Sequence, residues 1–300
     1  MQPVAANAAC SNFAIWTEDG SNGEIKKWST DGTLLSTIQT TTTAPDIAVS
    51  SDLSQILAFN LADLEAFNVT TGALESTNPI TGSSSFINGG AGAGVVSGGK
   101  LLTDAEGPGL SEVIVSVDLT TYVGTDLASL DDAESSVPVG VRGGAWGVAG
   151  DILQLPDNDI LVVAQNDTVY ADGVVLLRIN KNTPTQVTAV GVVASSDSVW
   201  GAARAGDDIF LATEGGSILK LGATIPTAAS LDPIATTEIV TGGGSFWGAA
   251  GSDDSTDGNA VCQEALADTG LDMTAAGIIA FSVIAAGVIA LLIRRREAQG

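Results

Sequence analysis

The chain contains no histidine among its 300 residues. That removes Ser-His-Asp and Cys-His catalysis and every imidazole metal site. Three other groups of residues could do chemistry. Asp253, Ser255, Asp257, Asn259 and Glu264 stand around Gly258 at the spacing with which a calcium loop presents its oxygen ligands. A strand-like segment precedes this run and Ala260 replaces the usual larger apolar residue, so an acidic linker is the competing reading. Cys10 and Cys262 are the only cysteines and bracket most of the chain; in an exported protein two cysteines pair. Trp146, Trp200 and Trp247 each open a Trp-Gly-x-Ala sequence. An indole face can stack on a sugar ring, or the three can be wedges between repeated units. No P-loop and no strand–glycine-loop–helix unit is present, so no cofactor is expected beyond calcium at the 253–264 run. Carboxylates are abundant but no catalytic pair stands out, and the chain is not expected to be an enzyme.

The elements that position these residues read as short strands. Phe13–Trp16, Gln55–Phe59, Val113–Val117, Ile160–Val163, Val174–Leu177 and Asp208–Ala212 are rich in Val, Ile, Leu and Phe and separated by Gly, Asp, Asn, Thr and Pro clusters. This marks an all-β sandwich, barrel or propeller. The Trp-Gly-x-Ala copies, 54 and 47 residues apart, favour the propeller. A second repeat lies between them: Trp28-Ser29-Thr30-Asp31-Gly32, Phe67-Asn68-Val69-Thr70-Thr71-Gly72, Val117-Asp118-Leu119-Thr120-Thr121, Ile179-Asn180-Lys181-Asn182-Thr183, and a weaker copy at Leu219 to Thr224. Each is a strand end running into a polar turn. These turns resemble those before the outer strand in propellers of the NHL, YVTN and quinoprotein-like kind, a resemblance that implies four-stranded blades around a central channel.

Five blades are expected, with innermost strands near Ile47, Phe86, Trp146, Trp200 and Trp247, and with Asp126 to Glu134 as an acidic excursion on one face. The strand Ser245–Gly251 lacks followers. Phe13–Glu18, Glu24–Ser29 and Leu34–Thr40 lack an innermost partner. Together they complete one blade, which joins the two ends of the domain and hides its edges. Cys10 and Cys262 would flank that closing blade, where a bridge across so long a loop is worth roughly 4–5 kcal/mol.

Formal charge is −24, from 35 acids and 11 bases. Residues from Leu271 onward hold Asp272 and Glu297 against three arginines, which leaves 33 acids and 8 bases before them. Such a surface repels nucleic acid and anionic lipid. It is compatible with solubility in a salty habitat, cations, sugars or a basic protein.

The tail begins Leu266-Ala267-Asp268-Thr269-Gly270, continues into the uncharged run Ala275–Ile293 and ends in Arg294-Arg295-Arg296. The run is 19 residues, long enough as a helix to cross the ~30 Å hydrocarbon core. The arginines hold its end in the cytoplasm. The order of pentapeptide, apolar run and basic tail resembles a sortase sorting signal, in the Leu-Ala-x-Thr-Gly variant of the cell-wall anchor found in high-GC actinobacteria. That resemblance implies cleavage between Thr269 and Gly270 by sortase and covalent transfer of Thr269 to peptidoglycan. An uncleaved membrane anchor is the alternative. Ala6-Asn7-Ala8 resembles a small-x-small cleavage site. The expected organisation is a signal-peptide remnant over 1–9, a propeller over 10–252, an acidic linker over 253–265 and a sorting signal over 266–300. The expected function is a wall-anchored surface protein whose propeller binds an unknown glycan or protein ligand. An extracellular carbohydrate-active enzyme and a ligand-free structural surface component are the other classes.

Overall fold

The computed structural model describes residues 13–41, 44, 46–60, 63–82, 93–106, 112–222 and 224–252. Glycine and polar clusters cut the described residues into twenty strands, which pair into five four-stranded antiparallel sheets. Blade 1 begins with β1 (Ala14–Asp19), β2 (Glu24–Ser29) and β3 (Leu34–Gln39). Blade 2 holds β4 (Ile47–Val49), β5 (Gln55–Asn60), β6 (Asp63–Asn68) and β7 (Leu74–Pro79). Blade 3 holds β8 (Ala93–Ser97), β9 (Lys100–Glu106), β10 (Glu112–Asp118) and β11 (Val123–Ser129). Blade 4 holds β12 (Gly147–Gln154), β13 (Ile160–Asn166), β14 (Tyr170–Asn180) and β15 (Thr183–Ala194). Blade 5 holds β16 (Val199–Ala205), β17 (Asp208–Thr213), β18 (Ile218–Leu221) and β19 (Thr236–Val240). The last strand, β20 (Phe246–Gly251), pairs with β1 and completes blade 1. The innermost strands touch in the order β20, β4, β8, β12, β16 and back to β20. The fold is a five-bladed β-propeller closed as expected by the two ends of the domain. At the join, the Ala14 amide donates to Ser252 Oγ at 3.1 Å and the Ser252 amide donates to the Ala14 carbonyl at 3.0 Å.

The strand runs are continuously apolar because each blade is buried on both faces. Successive residues alternate between the two seams: Ile152 and Val162 pack toward blade 3, Leu153 and Leu161 toward blade 5. Five apolar clusters result, one in each seam. The inner strands run side by side, and glycine permits it. A Cβ on Gly201 would lie 2.4 Å from the Ala249 nitrogen, and one on Gly248 would lie 2.6 Å from the Asp46 Cα.

The polar turn repeat has a definite geometry. Asn68 Oδ1 accepts the amides of Thr70 and Thr71, each at 3.0 Å. Asp118 Oδ1 accepts those of Thr120 and Thr121, each at 2.9 Å. Asn180 Oδ1 accepts those of Asn182 and Thr183 at 2.9 and 3.1 Å. These are Asx turns. The Thr121 and Thr120 amides hold the Asp118 carboxyl below its ordinary range. Gly72, at φ 70°, closes the second turn where a Cβ would meet the Gln39 carbonyl of blade 1 at 2.2 Å. That contact rests the turn on the preceding blade.

Two expectations are corrected. The innermost strand of blade 3 is Ala93–Ser97, later in the chain than Phe86, over a sequence that contains the β-branched pair Val95-Val96; Phe86 lies outside the described residues. The stretch Asp126 to Glu134 is not a free loop. It ends β11 and enters a 3-10 helix, Leu130–Ser136, that buries Leu130 and Ala133 against β15. The apolar face of those two residues outweighs the surrounding charge.

Candidate functional site

The inner strands begin at one rim of the ring and end at the other, where Phe13 and Ser252 lie. The three repeated tryptophans belong to the first rim, and they differ. Trp146, just before β12, is fully buried at 0% exposure. Its indole nitrogen donates to Glu134 Oε1 at 3.4 Å, and the Gly143 amide donates to the same oxygen at 3.0 Å. The excursion between blades 3 and 4 therefore folds over this ring. Trp247 is 43% exposed, and Trp200 is partly exposed.

The strand register explains the presentation of these two. Val199 pairs with Thr213 and Gly201 with Ala212, so Trp200 has no partner. Phe246 pairs with Asp19 and Gly248 with Glu18, so Trp247 has none either. Each sits in a β-bulge, a device that redirects a side chain. Because Gly201 abuts Gly248 and Ala249, the two bulges stand side by side on adjacent blades. The Trp247 indole lies against Gly20, where a Cβ would be 2.0 Å from its Cδ2. Trp200 Nε1 points to Glu214 Oε2 at 3.4 Å. The arrangement offers two partly exposed indoles with a carboxylate at the edge of one, which suits CH–π and hydrogen-bond contact with a ligand.

Acids support this rim from below. Asp46 is fully buried, and its Oδ1 accepts the Ile47 amide at 2.7 Å and the Ala249 amide at 3.2 Å, tying blade 2 to blade 1. Burial pushes the Asp19 carboxyl up, but the Ser21 hydroxyl and amide and the Lys26 ammonium together hold it below its ordinary value. Lys26 also donates to the Gly243 carbonyl at 2.6 Å, pinning the β19–β20 loop to blade 1. Glu18 is the chemically unusual group. Its Oε1 accepts the Ala44 amide at 3.3 Å, while its Oε2 is buried with no donor among the described residues. Burial raises its pKa to about 8, against the smaller downward pull of the Ala44 amide. A raised carboxyl suits a general acid, but at 1% exposure Glu18 cannot touch a substrate.

Sequence reasoning singled out the tryptophans without separating them and missed Glu18, Glu134 and Gly20. The alternation of β1 was the available signal for Glu18, since a residue two places after Trp16 shares its buried face. The pentapeptide Leu266–Gly270, Cys10, Cys262, the 253–264 run and the 275–293 segment lie outside the described residues. Among the described residues no helix is long and apolar enough to cross a membrane. Among them also, no group of three or more acids could hold a metal ion.

No family model matches the chain, and no curated protein sequence does. Solved structures similar in shape include TolB from Acinetobacter baumannii, at TM-score 0.41 and 15% identity over 76% of this chain and 52% of that one. A functionally unknown protein from Desulfotomaculum acetoxidans matches at 0.35 and 16%, over 77% and 67%. Dihydro-heme d1 dehydrogenase NirN in complex with DHE matches at 0.31 and 12%, over 76% and 45%. The chain thus spans about half the length of that TolB. These are likenesses of architecture and say nothing of what this chain binds.

Proposed function

We propose that this chain is a cell-surface binding protein whose propeller takes a glycan or protein ligand on the rim carrying Trp200 and Trp247. The observation that carries the reading is Trp247: a tryptophan 43% exposed, set in a bulge on a bed of glycine, beside a second bulged tryptophan. Exposed tryptophans seated on rigid strands are the residues that dominate binding energies at interfaces. The described ends, Phe13 and Ser252, leave the opposite rim, which suits a tether on one side and a ligand on the other. The tether is the sorting signal, cut between Thr269 and Gly270 and joined to peptidoglycan, with Cys10–Cys262 bridging the domain ends. Calcium at Asp253 to Glu264 is a further proposal for the linker.

Screening the full chain on glycan and protein arrays tests the binding reading. Saturable binding to a ligand, lost in Trp247→Ala, is expected; no ligand on either array contradicts it. For the tether, Thr269→Ala is expected to turn a wall-bound protein into a detergent-extractable one. A wild-type protein already fully extractable by detergent contradicts the sortase step.

A further inference from the structure

The fifth turn repeat is the weak one, and its departure builds a cavity. In blades 1 to 4 a tight turn joins the third and outer strands. In blade 5 residues 224–235 instead reach back onto blade 4, where the Ile234 amide donates to the Val192 carbonyl at 2.8 Å and the Ser230 amide donates to the Ala189 carbonyl at 2.9 Å. Between this arm and the β12–β13 and β16–β17 turns lies a cleft of about 700 Å³, at the rim opposite the exposed tryptophans. Its volume falls in the range of small-molecule sites. Its floor is aliphatic, from Leu155, Ile209, Leu221 and Ile225.

The walls hold charges of both signs. Arg178, Arg204 and Lys220 line the cleft, three of the eight bases that precede the tail. Asp157, Asp207 and Asp208 line it as well. Arg178 is buried; its Nε donates to Asp159 Oδ2 at 2.8 Å, its Nη2 pairs with Asp157, and Lys181 Nζ donates to the Asp157 carbonyl at 2.6 Å. That network fixes one wall. On the other, Lys220 Nζ meets Asp208 Oδ2 at 2.6 Å with the pair 36% and 43% exposed, leaving further ammonium protons for a ligand. Asp207 is exposed and presents acceptors.

We infer that this cleft binds a small zwitterion, an amino acid or short peptide with free termini: its ammonium at Asp157 and Asp207, its carboxylate at Lys220 and Arg204, and an apolar side chain on the aliphatic floor. A pure anion would meet the aspartates and a pure cation the three bases, whereas a zwitterion satisfies both. Calorimetric titration of the 300-residue chain in detergent with glycyl-leucine tests it. Saturable binding is expected, at least about tenfold tighter than for N-acetylglycyl-leucine or glycyl-leucinamide, each lacking one charge. Lys220→Gln and the exposed Asp207→Asn should each weaken it about tenfold or more, while Trp247→Ala leaves it unchanged. Equal binding of either singly charged analogue, preferential binding of lactose, or no saturable heat at about 10 mM dipeptide would overturn the inference.

Discussion

Trp146 and Trp247 begin the same four-residue motif and have opposite fates. Trp146 lies under the 3-10 helix that blades 3 and 4 insert between them, with Glu134 at its indole nitrogen. Trp247 has no such cover; Gly20 supports one face of the ring and 43% of the residue meets solvent. What the copies share is the glycine after the tryptophan, and even that differs in purpose. At Gly201 and Gly248 a Cβ would strike the neighbouring inner strand, whereas at Gly147 its nearest neighbour is Glu112 Oε2 at 3.6 Å, an ordinary contact. A repeat therefore fixes where a residue stands in the ring, and the connections around it decide whether that residue becomes core or surface.

This contrast breaks most sharply under substitution of the buried partner. Trp146→Ala should cost about 3–5 kcal/mol, the range for a large aromatic lost from a core, measured by chemical denaturation. Gly201→Val should cost about 3 kcal/mol through overpacking against Ala249, while Gly147→Ala should cost about 1 kcal/mol or less; similar losses at both would show that the two glycines are equivalent after all.

Glu18 sharpens the account of the rim beneath Trp247. Its folded pKa, about 8, lies above the ordinary 4.5. Between those values the folded state keeps a proton that the unfolded chain releases, so stability is greatest below the window and falls as pH rises through it. Glu18→Gln should remove that slope and gain on the order of 3–5 kcal/mol at pH 8. A wild-type stability that is flat from pH 5 to 8 would contradict the burial. Asn68→Ala, which opens one Asx turn, should cost about 1 kcal/mol and leave the rim untouched, as a small control on the repeat itself.

Much of the ring can be read from the sequence, because its physics is local. Apolar runs such as Ile160–Val163 mark strands buried on both faces, the Asn68, Asp118 and Asn180 turns mark the third strand of a blade, and the unmatched strands at either end required each other. Blade 3 was harder to place because the residues before β8 are rich in Gly and Ser and carry no periodic signal. The distinct fates of the tryptophans depend on contacts far apart in sequence, Glu134 to Trp146 and Gly20 to Trp247. The cleft was legible only as the poorest copy of the turn repeat, since residues 224–235 make their contacts on another blade.

The most direct test compares Trp247→Ala with Trp146→Ala in parallel urea denaturation of the full chain. Trp247→Ala is expected to lose about 1–2 kcal/mol and remain cooperatively folded, about 1–4 kcal/mol more stable than Trp146→Ala. Equal losses at the two positions would make Trp247 a wedge between blades and contradict its assignment as a binding surface.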